Sequence, residues 1–466
     1  MIAMTLAEVA GAVAGSLSDA RDPAAPVTGP VVVDSRQVDA GALFVAVPGE
    51  RVDGHDFAAA AVAAGATAVL ATRPVGVPAV VVDDTVAGLA RLAHAVARRL
   101  DGTTVIGVTG SAGKTGTKDL LAQLLPAVGP TVAPPESFNN EIGFPLTVLR
   151  AGTDTACLVL EMGARGAGHI AELCAVATPR IGVVLNVGVA HLGEFGSPEA
   201  IAAAKGELVE ALPDDGVAVL NADDERVAAM AERTKARVVT FGTTPGADVG
   251  ADEVTLDAAA RPSFTLMTPA GSAAVRLRLH GEHQVSNALA AAAVALEVGM
   301  SPEQVAAGLG EAVPQSRHRM ELRERPDGVT VVNDAYNANP VSAAAALRTL
   351  VHLAGGRRTV AVLGEMLELG ETSAAEHVRL GAYAAECGVD LVVAVGAGAG
   401  GVADGASGVS GWSGRAVRVP DGDTAEDLLD AELRGGDVVL FKSSRDAGLR
   451  WVGDRMAARG TAEREQ

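Results

Sequence analysis

The stretch VTGSAGKTGTKDLLAQLL (residues 108–125) sets glycines, a lysine and a threonine where they can hold phosphate. An apolar run, TTVIGVTG, leads into a glycine-rich turn and then a helical pattern. Backbone N–H groups across Gly110, Ser111, Ala112, Gly113 and Gly116 would cradle an anion at the helix start. Lys114 would reach terminal phosphates, and the Thr115 hydroxyl could bind Mg2+. The loop departs from a strict Walker A pattern, which would need glycine where Val108 stands. The bland alternative is a glycine-rich strand–helix turn carrying an incidental lysine. The scarcity of lysine weighs against it. Lys114, Lys118, Lys205, Lys235 and Lys442 are the only ones among 37 basic residues. Where arginine serves almost everywhere, each lysine is a candidate for chemistry that arginine cannot perform. Lys235 also reads well as an ordinary surface residue.

Three further residues could join this chemistry. Glu161 ends the apolar run ACLVLEMG, and His191 follows RIGVVLNVG. In parallel α/β sheets ligands lie beyond the carboxyl ends of strands. A carboxylate there can hold Mg2+ against nucleotide phosphates, or can simply be a solvated strand-end charge. A lone histidine can be a ligand or a hydrogen-bonded loop residue. Lys205 lies in SPEAIAAAKGELVEAL (197–212), a helix predicted from the Ser197 cap and Pro198 in the first turn. It shares an apolar stripe with Ile201, Leu208 and Leu212. Either its stem lies on apolar surface with the ammonium reaching out or pairing with a glutamate, or the amine is buried and partly neutral. A neutral amine can add CO2 to become a carbamate, an oxygen ligand for Mg2+.

The elements that must position these groups fall into three units. Residues 1–100 mix short strands (VVVDSR, ALFVAV, TAVLAT, AVVVDD) with alanine-rich helices, the first opened by a Thr5–Glu8 capping box. Residues 101–313 alternate apolar strands and helices, as in a mainly parallel α/β sheet. GEHQVSNALAAAAVALEVG reads as a helix ending at Gly299, with another starting at Ser301-Pro302. Residues 314–466 supply VTVVNDAY, RTVAVLGEM, LVVAVG, AVRVP and DVVLFKSS, a second doubly wound, Rossmann-like unit. The Gly/Ser-rich run 395–411 reads as a flexible surface loop.

Composition narrows the partners. A net charge of −20 disfavours nucleic acid and anionic membranes. It leaves room for an anionic small ligand in a locally positive pocket. Only 3% of residues are aromatic, so the cores must be built from Ala, Val and Leu. Cys157, Cys174 and Cys387 form no disulfide or zinc pattern, so a reducing, cytoplasmic setting is expected. No apolar run suggests a membrane span.

With these residues assembled, the chain resembles the Mur ligase family over nearly its whole length, and most closely the branch that adds D-Ala-D-Ala to a UDP-linked tripeptide. DSRQVDAGALFVAVPGERVDGHDF (34–57) is similar to the family's UDP-sugar-binding segment, with Ser35 and Arg36 at nucleotide-contacting positions. TGSAGKT resembles its ATP loop, and NNEIGFP (139–145), with Asn139 and Asn140, a substrate-side loop. Glu161, His191 and Lys205 fall on two magnesium sites whose lysine is carbamylated in the family. Asn287 matches an adenine contact. DAYNANP (334–340), with Asp334, Tyr336, Asn337 and Asn339, is the most discriminating stretch, since sister ligases tend to carry D-Y-A-H-x-P. GEMLELGE (364–371) and GDVVLFKSSR (436–445) also match. Gly116, Pro48 and Ser443 stand where the family usually has Ser or Thr, Lys, and Gly.

The resemblance implies three α/β domains. They are a small UDP-substrate-binding domain (1–100), a central parallel-sheet P-loop ATPase domain (101–313) and a C-terminal Rossmann-like domain (314–466). It implies ATP-dependent ligation of UDP-MurNAc-tripeptide to D-Ala-D-Ala through an acyl phosphate, in a monomer. Thr115 and Glu161 would hold one Mg2+, His191 and carbamylated Lys205 the other. Arg319 and Asp334 would complete the nucleotide site from the third unit. The competing readings are another amide ligase of the superfamily, tripeptide-forming or folylpolyglutamate-like, and an inactive nucleotide-binding subunit.

Overall fold

The structure is a computed structural model describing residues 1–49, 52–188 and 192–459. It contains three principal sheets, one after another along the chain. The first orders Ser16–Ser18, Ala79–Val81, Ala68–Ala71, Leu43–Val45 and Val31–Val32, parallel except for the first pair. A short two-stranded pairing of Met4–Thr5 with Pro26–Val27 adjoins it. The expected Thr5–Glu8 capping box opens the helix Leu6–Val13.

The central sheet has nine strands. From one edge they are Gly271–Arg276, Pro262–Thr268, Val249–Leu256, Arg237–Gly242, Val217–Asn221, Ile181–Val184, Thr104–Thr109, Cys157–Glu161 and Thr131–Val132. The last seven run parallel. Cys157–Glu161 is buried at every residue, as a parallel strand covered on both faces must be. The antiparallel edge (Val249 to Arg276) goes beyond the sequence expectation. The third sheet orders Glu321–Glu324, Thr330–Asn333, Val438–Lys442, Thr359–Leu363, Leu391–Val395 and Arg415–Val419, with only the first pair antiparallel.

The units are joined unequally. Leu89, Leu92, Val96 and Leu100 share one apolar core with Phe144, Val148, Ile170 and Leu173, so the first two units are fused through packing. The third unit has its own apolar clusters on the two faces of its sheet, and they take in Ala260 from the central hairpin. Its other contacts with the central unit include polar ones, described below.

One expectation is corrected. The 395–411 run is not a loop along its length: Ala397–Ala399 forms a 3-10 turn and Gly400–Ser407 an α-helix. The glycines serve close packing there. A Cβ at Gly405 would collide with the Val378 carbonyl, and one at Gly381 with the Val402 carbonyl. Two helix backbones therefore approach where side chains would hold them apart, and tertiary contact overrides glycine's poor helix propensity.

Candidate active site

The strand Thr104–Thr109 ends in Gly110 (φ 158°), and Gly113 (φ 84°) starts the helix Lys114–Leu124. Gly113 lies in the left-handed region, and any Cβ there would also collide with the Asn287 side-chain oxygen. Asn186 braces the loop from the next strand. Its Oδ1 accepts from the Ala112 N–H at 2.9 Å, and its Nδ2 donates to the Ala112 carbonyl at 3.1 Å. The Ser111 hydroxyl accepts from the Gly188 N–H at 2.9 Å. Gly116 has a local reason to depart from Ser or Thr, because a Cβ would lie 3.0 Å from Asn287 Nδ2.

Thr115 is the meeting point. Its Oγ1 donates to Glu161 Oε2 at 3.1 Å, lies 2.8 Å from Ser137 Oγ, and accepts from Arg319 Nη2 at 3.2 Å. Glu161, 1% exposed, also accepts from Asn139 Nδ2 at 2.7 Å. Lys114 Nζ donates to the Gly110 carbonyl at 2.6 Å. Burial pushes its pKa down, partly opposed by the Glu161 charge.

Lys205 sits in the helix Pro198–Glu210, capped by Ser197, and is 4% exposed. Burial, and then repulsion from Lys114, pull its pKa from 10.5 to about 7. Among the described residues no hydrogen-bond or salt-bridge partner meets its ammonium. The snorkelling reading is therefore set aside, and so is a glutamate partner among those residues. His191 lies outside the described residues.

The third unit contributes through its first residues. Arg319 is held between His318 (φ 57°) and Met320 (φ 50°), two non-glycine residues in the left-handed region. Its guanidinium lies 4.3 Å from the Tyr336 ring centre and donates to Ser137 Oγ at 3.1 Å, while its Nε is buried without a partner. Asp334 accepts from the Met320 N–H at 3.0 Å and from Lys442 Nζ at 2.6 Å, so both carboxylate oxygens are engaged. The Asn337 carbonyl accepts from Lys442 at 2.9 Å. Asn339 caps the helix Pro340–Ala354 and reaches across to the Ser111 carbonyl at 3.2 Å. Asn287, in the helix Gln284–Glu297, bonds Gln284 behind the glycine-rich loop.

Thus the loop residues 110–116, Asn139, Glu161, Asn287, Arg319, Asp334, Tyr336 and Asn339 form one connected cluster, and the Lys114 charge acts on Lys205. Asn140 instead caps the turn into Gly143–Val148 by accepting from the Gly143 N–H at 2.9 Å. Ser35 and Arg36 stand on a 3-10 turn of the first unit, where Asp34 holds the exposed Arg36. Sequence reasoning missed Ser137, Asn186 and Glu368. The Glu368 carbonyl accepts from the Gly193 N–H at 3.1 Å, and its charge acts on Lys114. Its φ of 67° was not readable from residue type.

A glycine-rich strand–helix loop met by an arginine from a separate Rossmann-like unit is the arrangement of a multidomain α/β enzyme. Profiles of the Mur ligase family match accordingly: its catalytic domain over residues 30–104, its middle domain over 108–295 and its glutamate ligase domain over 318–445. The chain belongs to the Mur ligase family. It is 52% identical to the UDP-N-acetylmuramoyl-tripeptide--D-alanyl-D-alanine ligase of Mycobacterium tuberculosis H37Rv, with 99% of each chain covered. It is 37% identical to the Escherichia coli K12 enzyme of the same name, over 85% of this chain and 86% of that one. Among solved structures, MurF from Acinetobacter baumannii superposes with a TM-score of 0.87 at 32% identity, covering 98% and 99% of the two chains. Thermotoga maritima MurF in complex with ADP superposes at 0.79 and 30%, covering 94% and 99%.

Proposed function

We infer that this chain is the ligase that joins D-Ala-D-Ala to the terminal carboxylate of UDP-MurNAc-tripeptide in peptidoglycan precursor synthesis, and that ATP drives the step. Its likeness to enzymes of that name, over 99% of the chain in the mycobacterial case, supports the substrates. The observation that carries the chemistry is the convergence on Thr115 of a buried carboxylate, the phosphate loop and Arg319 from the third unit.

A carboxylate must approach an already anionic γ-phosphate, and the site answers with positive charge. Loop N–H groups and the start of Lys114–Leu124 hold the phosphates. Lys114 and Arg319 neutralise the transferring group from two sides. The carboxylate oxygen attacks the γ-phosphorus and ADP leaves, giving an acyl phosphate; the amine of D-Ala-D-Ala then attacks its carbonyl carbon, and phosphate leaves with loss of the amine proton. The Asn339–Ser111 and Gly193–Glu368 bonds support closure of the third unit over the site, which would exclude water that hydrolyses that intermediate.

The donor set fits Mg2+: a hydroxyl and a buried carboxylate 3.1 Å apart are hard oxygen ligands. Thr115 and Glu161 would hold one ion, and His191 with carbamylated Lys205 a second. Bound there, the ions would supply further neutralisation at the phosphate oxygens. The buried, partly neutral Lys205 amine supports the carbamate. We assign UDP binding to residues 1–100 through Ser35 and Arg36, the nucleotide to 101–313 with Asn287, and the incoming dipeptide to 314–466 with Tyr336 and Asn337. Asn139 and Asn140 would face the UDP-linked substrate. The enzyme would act as a cytoplasmic monomer, and no helix among the described residues is long and apolar enough to cross a membrane.

Phosphate release by purified protein tests this. It should require ATP, UDP-MurNAc-tripeptide and D-Ala-D-Ala together. Turnover instead with single amino acids or with folate and glutamate, or none with the full set, would overturn it.

A further inference from the structure

Two of the five lysines are buried and take no part in the chemistry above: Lys118, 1% exposed, and Lys442, 3% exposed. Lys442 ends the strand Val438–Lys442, beside Thr330–Asn333, and its ammonium bonds Asp334 Oδ2 and the Asn337 carbonyl. The other Asp334 oxygen accepts from the Met320 N–H, one residue from Arg319. On the other side of Arg319, the His318 ring meets Asp454 at 3.0 Å. Asp454 is itself held by Arg317 and Asn333, so the His318–Glu321–Asp454 group is a structural anchor.

The strained turn 318–320 is thus pinned at both ends, with Arg319 projecting from its middle. A non-glycine residue in the left-handed region persists where the surroundings hold it. Here the holding group at Met320 is a carboxylate whose charge would otherwise be buried and unpaired.

We propose that Lys442 is a positioning residue for Arg319: it neutralises Asp334, Asp334 fixes the Met320 N–H, and the turn so fixed aims the guanidinium at the phosphate site. This rests on the functional reading above, in which Arg319 stabilises the transferring phosphoryl group. Lys442 itself touches no reacting atom.

The test is a double-mutant cycle at saturating ATP, followed by phosphate release. In wild-type background Arg319→Ala should lower kcat by about 1,000-fold. Lys442→Met should lower kcat by about 100-fold, the scale of a misplaced catalytic group, with KM for both acceptor substrates within about threefold. In the Lys442→Met background, Arg319→Ala should cost less than about tenfold more, because the arginine is already misaimed. Losses that simply multiply would overturn the proposal, since a general loss of folded enzyme leaves the two residues uncoupled.

Asp334→Asn with Lys442→Met supplies the second variant, which also serves should Lys442→Met alone not fold. It leaves no unpaired charge and keeps an acceptor for Met320. Arg319→Ala in that background should regain most of its wild-type cost, and a cost under about tenfold would refute the relay. Absence of any turnover by the wild-type protein would instead sink the functional reading.

Discussion

The Lys205 amine gives the sharpest prediction, because one number governs both its reactivity and its effect on stability. With a pKa of about 7, about three-quarters of the amine is neutral at pH 7.5, whereas an ordinary lysine is neutral in about one molecule in a thousand. Only the neutral amine adds CO2. At constant dissolved CO2, carbamate on Lys205 should therefore rise with pH, since its formation needs the neutral amine and releases a proton, while exposed Lys235 stays nearly unmodified at neutral pH. Carbon-13 NMR with labelled bicarbonate reads this directly, with Lys205→Met identifying the signal. Lys205→Ala should lose activity that bicarbonate cannot restore, whereas added short carboxylates should restore some.

The same shift fixes the sign of a stability effect. The folded pKa lies below the unfolded value of 10.5, so between about pH 7 and 10.5 the unfolded chain binds the extra proton. Stability attributable to this residue therefore rises with pH across that window, and its penalty is complete below pH 7. A pKa lowered from 10.5 to about 7 corresponds to about 5 kcal/mol at pH 6, falling to about 2 kcal/mol at pH 9. In bicarbonate-depleted buffer, Lys205→Met should stabilise the central unit against urea more at pH 6 than at pH 9, by about 3 kcal/mol, while abolishing turnover. A pH-independent effect, an amine titrating above pH 9, or wild-type turnover by Lys205→Ala would refute the reasoning.

Lys118 pairs with Asp119 and donates to the Pro134 carbonyl at 2.9 Å. Lys118→Met leaves that acid poorly compensated and should cost about 3 kcal/mol in urea unfolding, with looser presentation of Ser137 and Asn139. Gly405→Ala forces apart two helices at the Val378 carbonyl; a loss of about 2 kcal/mol is expected in thermal melts. Asn339→Ala removes both a helix cap and the bridge to Ser111. It should cost about 1 kcal/mol in stability and raise the KM for ATP, whereas Asn339→Asp should restore the cap alone.

The glycine-rich strand–helix turn was legible because the chain changes its period there, from an unbroken apolar run to a helical repeat across glycines. Lys205 was legible from its place on an apolar stripe. Ser137 and Asn186 were not. Each is a single polar residue whose role comes from a bond to Thr115 or Ala112, 22 and 74 positions away. The Gly400–Ser407 helix was hidden by its composition, since the glycines that suggest a loop are what let it dock. Arg319 was found through family likeness, yet the left-handed turn that presents it depends on Asp334 and Asp454, which lie 14 and 136 positions from the groups they bind.

Placement of the lysines has a practical side. Among their side chains only that of Lys235 is freely open, two residues before the strand Arg237–Gly242 and so on the margin of the central sheet away from the glycine-rich loop. An amine-directed dye or tether should settle chiefly on that residue and the α-amino group. A reporter at one internal position could then be fixed to the working enzyme by ordinary conjugation chemistry, with no cysteine engineering.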